Sequence, residues 1–450
     1  MNDGAFARVR LNYVYCFACD FQRTTERWSL LSEQWLSFPR SASQASFLPP
    51  FVPGPETPFL WELGGPSAGL VYPVRVAASH ASAGSGGDLC GTISTKVVLA
   101  RHGGGAIVVE LDLRPTEALG VELLSRLLVA SDSDLLLCFQ KPTPPWLAGA
   151  TDKPVKLHRA FSLLSSYLLR TVLSELSAQA PNLSNLARAE QRPFPFIVLQ
   201  LQNGTPDAFR AAVGDEVLAG LTLRTYGVPK DTGPDALDPT YFGARDPNQF
   251  LTSLFPIKRL FVSLQPRSCM IMFGETGGLT KPRLIEGFVE TAAEHVILGR
   301  ILWARLYSLN IACDALLIEH AAELFSTLGR GEGAGSEALS AALVGITKLR
   351  TAAALALCDP IAYAAAVGAY VKLCQAMTEA FRMTELVRDL FEKLVALDRL
   401  YSDLREVGSL AFLQKIDGKR GAASTARPPK KQPPGRARVP RDRETPSREM

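Results

Sequence analysis

The sequence predicts an α+β front half, a helical back half and a disordered basic tail. Three observations carry this. Short runs rich in Val, Ile, Phe and Tyr, some joined by tight turns, recur between residues 8 and 275. From about residue 281 to 407 apolar residues return every three to four positions and no convincing strand appears. The last segment is rich in Pro, Lys and Arg and almost free of apolar residues, so it cannot bury enough surface to fold.

Taken in order, Val9 to Phe21 reads as a buried strand, and Thr24 to Leu36, with Trp28, Leu31, Trp35 and Leu36 at helical spacing, as a helix. Phe38 to Pro66 and Ala78 to Gly91 are loop-like in composition. Thr95 to Leu113 predicts a hairpin, with two β-branched runs flanking Arg101-His102-Gly103-Gly104-Gly105 as a glycine turn. Pro115 opens a helix through about Ala130, with Leu119, Leu123, Leu124 and Leu127 inward, and Asp134 to Gln140 forms a further strand. Strand, helix, hairpin, helix, strand matches a ferredoxin-like unit.

A second unit follows: helix Leu157 to Gln179, strand Phe194 to Leu201, helix Asp207 to Ala219, and a hairpin of Lys258 to Leu264 with Cys269 to Phe273, after a loop-rich Tyr226 to Pro256. The expected organisation is thus 1–150 as an α+β unit, 151–278 as a second, 279–410 as a bundle with one long helix, and 411–450 as the tail.

In the back half, Lys281 to Leu328 holds its apolar spacing long enough for a single helix of roughly 60 to 70 Å. Gly329 to Ser336 is a glycine-rich turn, and helices are expected at about Glu337 to Leu357 and Pro360 to Met383. Asp359-Pro360 reads as an N-cap and first helical residue. Thr384 to Val407 repeats Val387, Leu390, Leu394, Leu397, Tyr401 and Leu404 in coiled-coil spacing, with Arg388/Glu392, Asp389/Lys393 and Arg399/Asp403 as pairs along the helix.

Charge divides unevenly. From Gly418 to Met450 there are ten Lys or Arg and three acids, so the tail carries +7, while residues 1–417, with 38 basic and 41 acidic residues, carry −3. The folded body offers no global basic field for nucleic acid. The tail could touch nucleic acid or an anionic surface through counterion release, without base stacking because it has no aromatic residue.

Eight cysteines are scattered, most of them in apolar runs such as Leu135 to Phe139, and read as buried thiols of a reducing compartment. Met1 to Asp20 has no signal-peptide pattern, and a cytoplasmic location is expected. Thr351 to Val371 is apolar apart from Asp359 and reads as buried bundle helix in preference to a membrane span.

The motifs that suggest chemistry fail on context. Gly65-Pro66-Ser67-Ala68-Gly69 fits a nucleophile elbow and His102-Gly103-Gly104-Gly105 an oxyanion loop, but Leu70 to Val74 is extended where the elbow needs a helix. The histidines His80, His102, His158, His295 and His320 do not cluster, and Cys16/Cys19 lacks a second pair for zinc. Gly274 to Lys281 resembles a P-loop without its Gly-Lys and follows a hairpin. No catalytic, cofactor-binding or metal residue is assigned, and no cofactor is expected.

The leading expectation is a non-catalytic interaction, regulatory or scaffold protein whose residues 281–407 oligomerise or dock a protein partner. The alternative is a membrane-associated protein whose cytosolic α/β module feeds long helices, similar in shape only to the cytosolic part of divalent-cation channels and lacking the expected pore loop. A third expectation is an enzyme of unrecognised type with Ser67 and His102 as its candidates.

Overall fold

The computed structural model describes residues 6–18, 60–63, 72–78, 89–100, 104–115, 119–131, 135–139, 145–147, 154–177, 193–223, 251–253, 260–265, 267–274, 282–330, 336–364 and 371–424. These form an α+β protein built on one mixed sheet of eleven strands. They are β1 (Phe6–Ala18), β2 (Leu60–Leu63), β3 (Tyr72–Ala78), β4 (Leu89–Ala100), β5 (Gly104–Leu113), β6 (Leu135–Phe139), β7 (Val155–Lys156), β8 (Phe194–Leu201), β9 (Leu251–Ser253), β10 (Leu260–Gln265) and β11 (Ser268–Phe273). The order is β7-β6-β3-β4-β5-β1-β8-β11-β10-β9, with β2 paired to β4.

Every pairing is antiparallel except β8 with β11. The expected hairpins form, β4 with β5 from Gly91↔Leu113 to Ala100↔Gly104 and β10 with β11 closing at Gln265↔Ser268. The ferredoxin-like order does not: β3, β4, β5 and β1 lie side by side, an antiparallel run in which β3 occupies the place read as extended chain. β1 is the seam of the molecule, pairing β5 on one edge and β8 on the other, so a single sheet runs through both expected α+β units. β9 lies inside the stretch expected to be loop, and the helix expected at Thr24 to Leu36 falls outside the described residues.

One sheet face carries α1 (Val121–Ser131), α2 (Leu157–Ser177), α3 (Pro206–Val213) and α4 (Asp215–Leu223). Alternation decides which side chains meet them: Val9, Leu11, Tyr13, Ile107, Val109, Leu111, Ile197 and Leu199 point to this core with Phe161 and Leu124. α1 starts later than expected because Leu119 is held in a β-bridge to Phe6, with N–H···O bonds of 3.0 and 2.9 Å both ways. Leu124 and Leu127 are buried and Leu123 is exposed, as the shorter helix dictates. Thr205 caps α3, its hydroxyl accepting from the Ala208 N–H, and Gly214 at φ +85° separates α3 from α4 in what reads as one helix.

The other face receives the helical half: α5 (Pro282–Arg330), α6 (Ser336–Ala364), α7 (Val371–Ala380) and α8 (Met383–Ser424). Val14, Cys16, Ala106, Val108, Phe194, Phe196 and Ile271 of the sheet share a core with Val289, Val296 and Ile301 of α5 and with Leu390 and Leu397 of α8. The long helix matches its expected span. The other helices do not: α6 runs through Asp359-Pro360 to Ala364 instead of restarting there, and α8 continues to Ser424, into the segment expected to be tail. Pro360 has no N–H to donate to the Ala356 carbonyl, so the helix passes through it at the cost of one backbone bond, in an alanine-rich stretch of high helix propensity.

Candidate functional site

The helix α5 is the element on which every candidate feature converges. Its first third lies on the sheet, anchored through charge. Arg10, nearly buried on β1, is paired to Glu290 of α5 and lies 3.7 Å from Glu110 of β5. Beside it Arg8 Nε and Nη2 donate to Asp112 Oδ1 and Oδ2, both at 2.8 Å, and Arg114 reaches the same carboxylate at 3.3 Å. Burial pushes the Asp112 carboxyl upward, but the Arg8 bonds and the nearby Arg114 and Arg10 outweigh it and hold it below its ordinary value. Arg8 is correspondingly raised, first by its bond to Asp112.

Where α5 leaves the sheet, an arginine fills an aromatic cage. The Arg300 guanidinium sits 3.7 Å from the Trp303 ring centroid, 5.2 Å from Phe194 of β8 and 5.6 Å from Phe381 at the α7–α8 joint. Phe194 and Phe381 meet edge to face at 5.5 Å. The cation thus ties sheet, long helix and joint together through the faces of three rings. The joint is tight, since Arg382 there adopts φ 50°, a left-handed conformation unusual for a residue with a side chain.

Beyond the cage α5 packs against α6 and α8. Asn310 Nδ2 donates to the carbonyls of Leu306 and Leu386, Lys393 Nζ donates to Asp314 Oδ2 at 2.7 Å, and Arg350 of α6 meets Asp398 of α8 at 2.5 Å. Lys393 was expected to pair with Asp389 along α8; it bridges helices instead. Cys313, enclosed at this joint, has its thiol pushed up to about 11 by burial, against the pull of Lys393.

The outward side of α5 remains apolar. Tyr307 is 47% exposed, Ile311 44% and Ile318 71%. Spacings of four and seven place them on one stripe, continued through Ala315. Tyr307 stacks on Trp303 with centroids 5.1 Å apart and planes 6° apart, so a ladder of Arg300, Trp303 and Tyr307 rises from the core to the surface. This stacking orients the ring of Tyr307 at the surface. The sequence pattern hid these residues because Leu306, Leu309 and Cys313, one or two positions away, already satisfy a helical stripe. A second apolar face on the same helix is legible only once the first is assigned to the core.

The remaining sequence candidates fall apart in space or out of view. Ser67, His80, His102, Cys19, residues 275–281 and residues 425–450 lie outside the described residues. His158 is exposed at the start of α2. His295 sits in α5 with Nδ1 2.8 Å from the Thr291 carbonyl oxygen; burial lowers its pKa and that bond only partly offsets the effect. Cys16 is buried under α5. Gly274, the first residue of the P-loop-like segment, follows a strand that is at once the second arm of a hairpin and parallel to β8. Among the described residues, no group of three or more His, Cys, Asp and Glu is placed to hold a metal. Among them also, Ile285–Glu319 of α5 is long and apolar enough to cross a membrane, and its inward residues form the core against the sheet. No family model, curated protein or solved structure matches the chain.

Proposed function

We propose that the chain is a non-catalytic interaction or scaffold protein in which the helical half, residues 281–407, docks a protein partner or a second copy. The observation that supports it most directly is the exposed stripe of Tyr307, Ile311 and Ile318 on a helix whose opposite side is already committed to the core. Monomeric proteins scatter their exposed apolar residues; three aligned on one helix, next to a preorganised Trp-Tyr-Arg ladder, have the composition of an interface centre. In this reading the sheet and its charged contacts hold α5 at a fixed angle, and the basic tail adds at most weak, salt-sensitive contact with anionic surfaces.

The test is sedimentation of the full chain at micromolar concentration together with affinity capture from its native host. Wild type is expected to run above monomer mass or with a stoichiometric protein, and the Ile311→Asp, Ile318→Asp double variant to lose that species while melting within a few degrees of wild type. A strict monomer captured alone ends the proposal.

A further inference from the structure

The chain bends between α7 and α8 where its local sequence supplies neither a stop nor a start. Helix α7 ends at Ala380 and α8 begins at Met383, so Phe381 and Arg382 alone separate them. From Gln375 to Arg388 there is no Gly, Pro, Asn or Asp, and good helix formers make up most of the stretch. The residue that turns the chain is Arg382 at φ 50°, in the left-handed region where a helix C-terminus usually places glycine. It also stands at the cap position of α8, where Ser, Thr, Asp or Asn is preferred. Its side chain is 76% exposed and lies 3.7 Å from Glu385, an ion pair along the helix that a straight chain would keep. What holds the bend is Phe381, buried in the cage with Phe194, Trp303 and Arg300.

We infer that α7 is a hinged lid. It closes over the junction of sheet and long helix when Phe381 enters the cage, and it opens by releasing Phe381 and joining α8 as one straight helix. Closed, it buries Leu373, Cys374, Met377 and Ala380 and packs on β10, α5 and α6. The core these residues enter holds Phe194, Leu260 and Val262 of the sheet and Ile301 and Leu302 of α5. Opening relieves the crowding of a Cβ in the left-handed region. It also gives the N–H groups of Met383, Thr384 and Glu385, which open α8 and have no carbonyl partner within it, the carbonyls of Glu379, Ala380 and Phe381. Closing returns the Phe381 ring and four side chains to the core. Local backbone preference and tertiary burial thus pull one joint toward two discrete arrangements, which makes it a two-state element. Opening uncovers an apolar cleft walled by Phe194 and Trp303, with the Arg300 guanidinium between the rings. The lid governs access to that cleft, and it does not depend on the outward stripe of α5 being a docking surface.

The chain carries its own reporter. The expectation of buried thiols holds for Cys16, Cys269, Cys313 and Cys374 and fails for exposed Cys90 and half-buried Cys138. Of the four buried thiols, Cys374 lies on α7, the others on β1, β11 and α5. The experiment is alkylation of the reduced full chain with iodoacetamide in subdenaturing urea, quenched at intervals and read by peptide mapping. Cys374 is expected to react after Cys90 and Cys138 but about tenfold or more faster than Cys16, Cys269 and Cys313, which wait for global opening. Arg382→Gly and Arg382→Ala lose the same exposed ion pair and differ in how well residue 382 sits inside a helix. The rate of Cys374 relative to Cys269 measures the open state against the unfolded chain, and it is expected to be about fivefold lower in the glycine variant, the handicap of glycine in a helix interior. Equal ratios in the two variants overturn the straightened helix, and a Cys374 that reacts no faster than Cys269 overturns the lid.

Discussion

Asp112 shows how much one position can depend on its neighbours. Three arginines, Arg8, Arg10 and Arg114, act on its carboxylate and keep its folded pKa under the ordinary 3.8. The ionised form therefore contributes stability at neutral pH, and the contribution disappears as pH falls below about 4 and through the folded value. Asp112→Asn is expected to cost about 2 kcal/mol at pH 7, the scale of losing a charged, partly buried hydrogen-bonded partner. It should also flatten the fall in stability on acidification below the ordinary carboxylate value of 3.8. Urea unfolding at several pH values measures both, and parallel pH profiles for wild type and variant would contradict the assignment. Gly274 is constrained by space: a Cβ there would lie 2.3 Å from the Gly204 carbonyl oxygen, a backbone atom with nowhere to go. Gly274→Ala is expected to destabilise by about 1 to 3 kcal/mol through overpacking, readable in the same unfolding assay.

At the scale of elements, legibility followed local pattern. Spacing of three to four fixed α5 to within two residues at either end, and the residues Leu390, Leu397 and Leu404 expected inward on α8 are buried. Both hairpins were legible because turn chemistry and pairing lie close in sequence. What was hidden depends on partners far away in the chain: the start of α1 is set by the Phe6 bridge, the break between α7 and α8 by Phe381 entering the Arg300 cage, and the Lys393 pairing by a carboxylate on another helix. The outward stripe likewise needed the core to be assigned first. Phe381→Ala removes a ring that touches Phe194, Trp303 and Arg300 at once and is expected to cost about 3 to 5 kcal/mol. A loss under 1 kcal/mol in chemical denaturation would mean the joint does not fasten the bundle to the sheet.

For the whole molecule the decisive pairing is β1 with β8, which joins residues nearly two hundred positions apart and carries one sheet across both expected front units. β1 buries Val14 and Cys16 against helices that begin only at Pro282. A fragment ending at residue 150 would present one unpaired edge of its central strand and a bare apolar face. Such a fragment is expected to be insoluble or to bind a dye for exposed apolar surface, whereas a well-dispersed, cooperatively melting fragment would show that the first strands need no cover.

The same seam has a consequence for biosynthesis. β1 is synthesised before either of its partners, and the strand that completes its second edge follows only at residues 194–201. During that interval a twelve- to thirteen-residue template for strand addition stands open to any neighbouring nascent chain. Arg8 and Arg10 along it are the residues that burden such premature pairing with unmatched charge, and they find their carboxylates only when Asp112 and finally Glu290 arrive. The order in which the partners of β1 are synthesised is thus also the order in which its hazard is withdrawn.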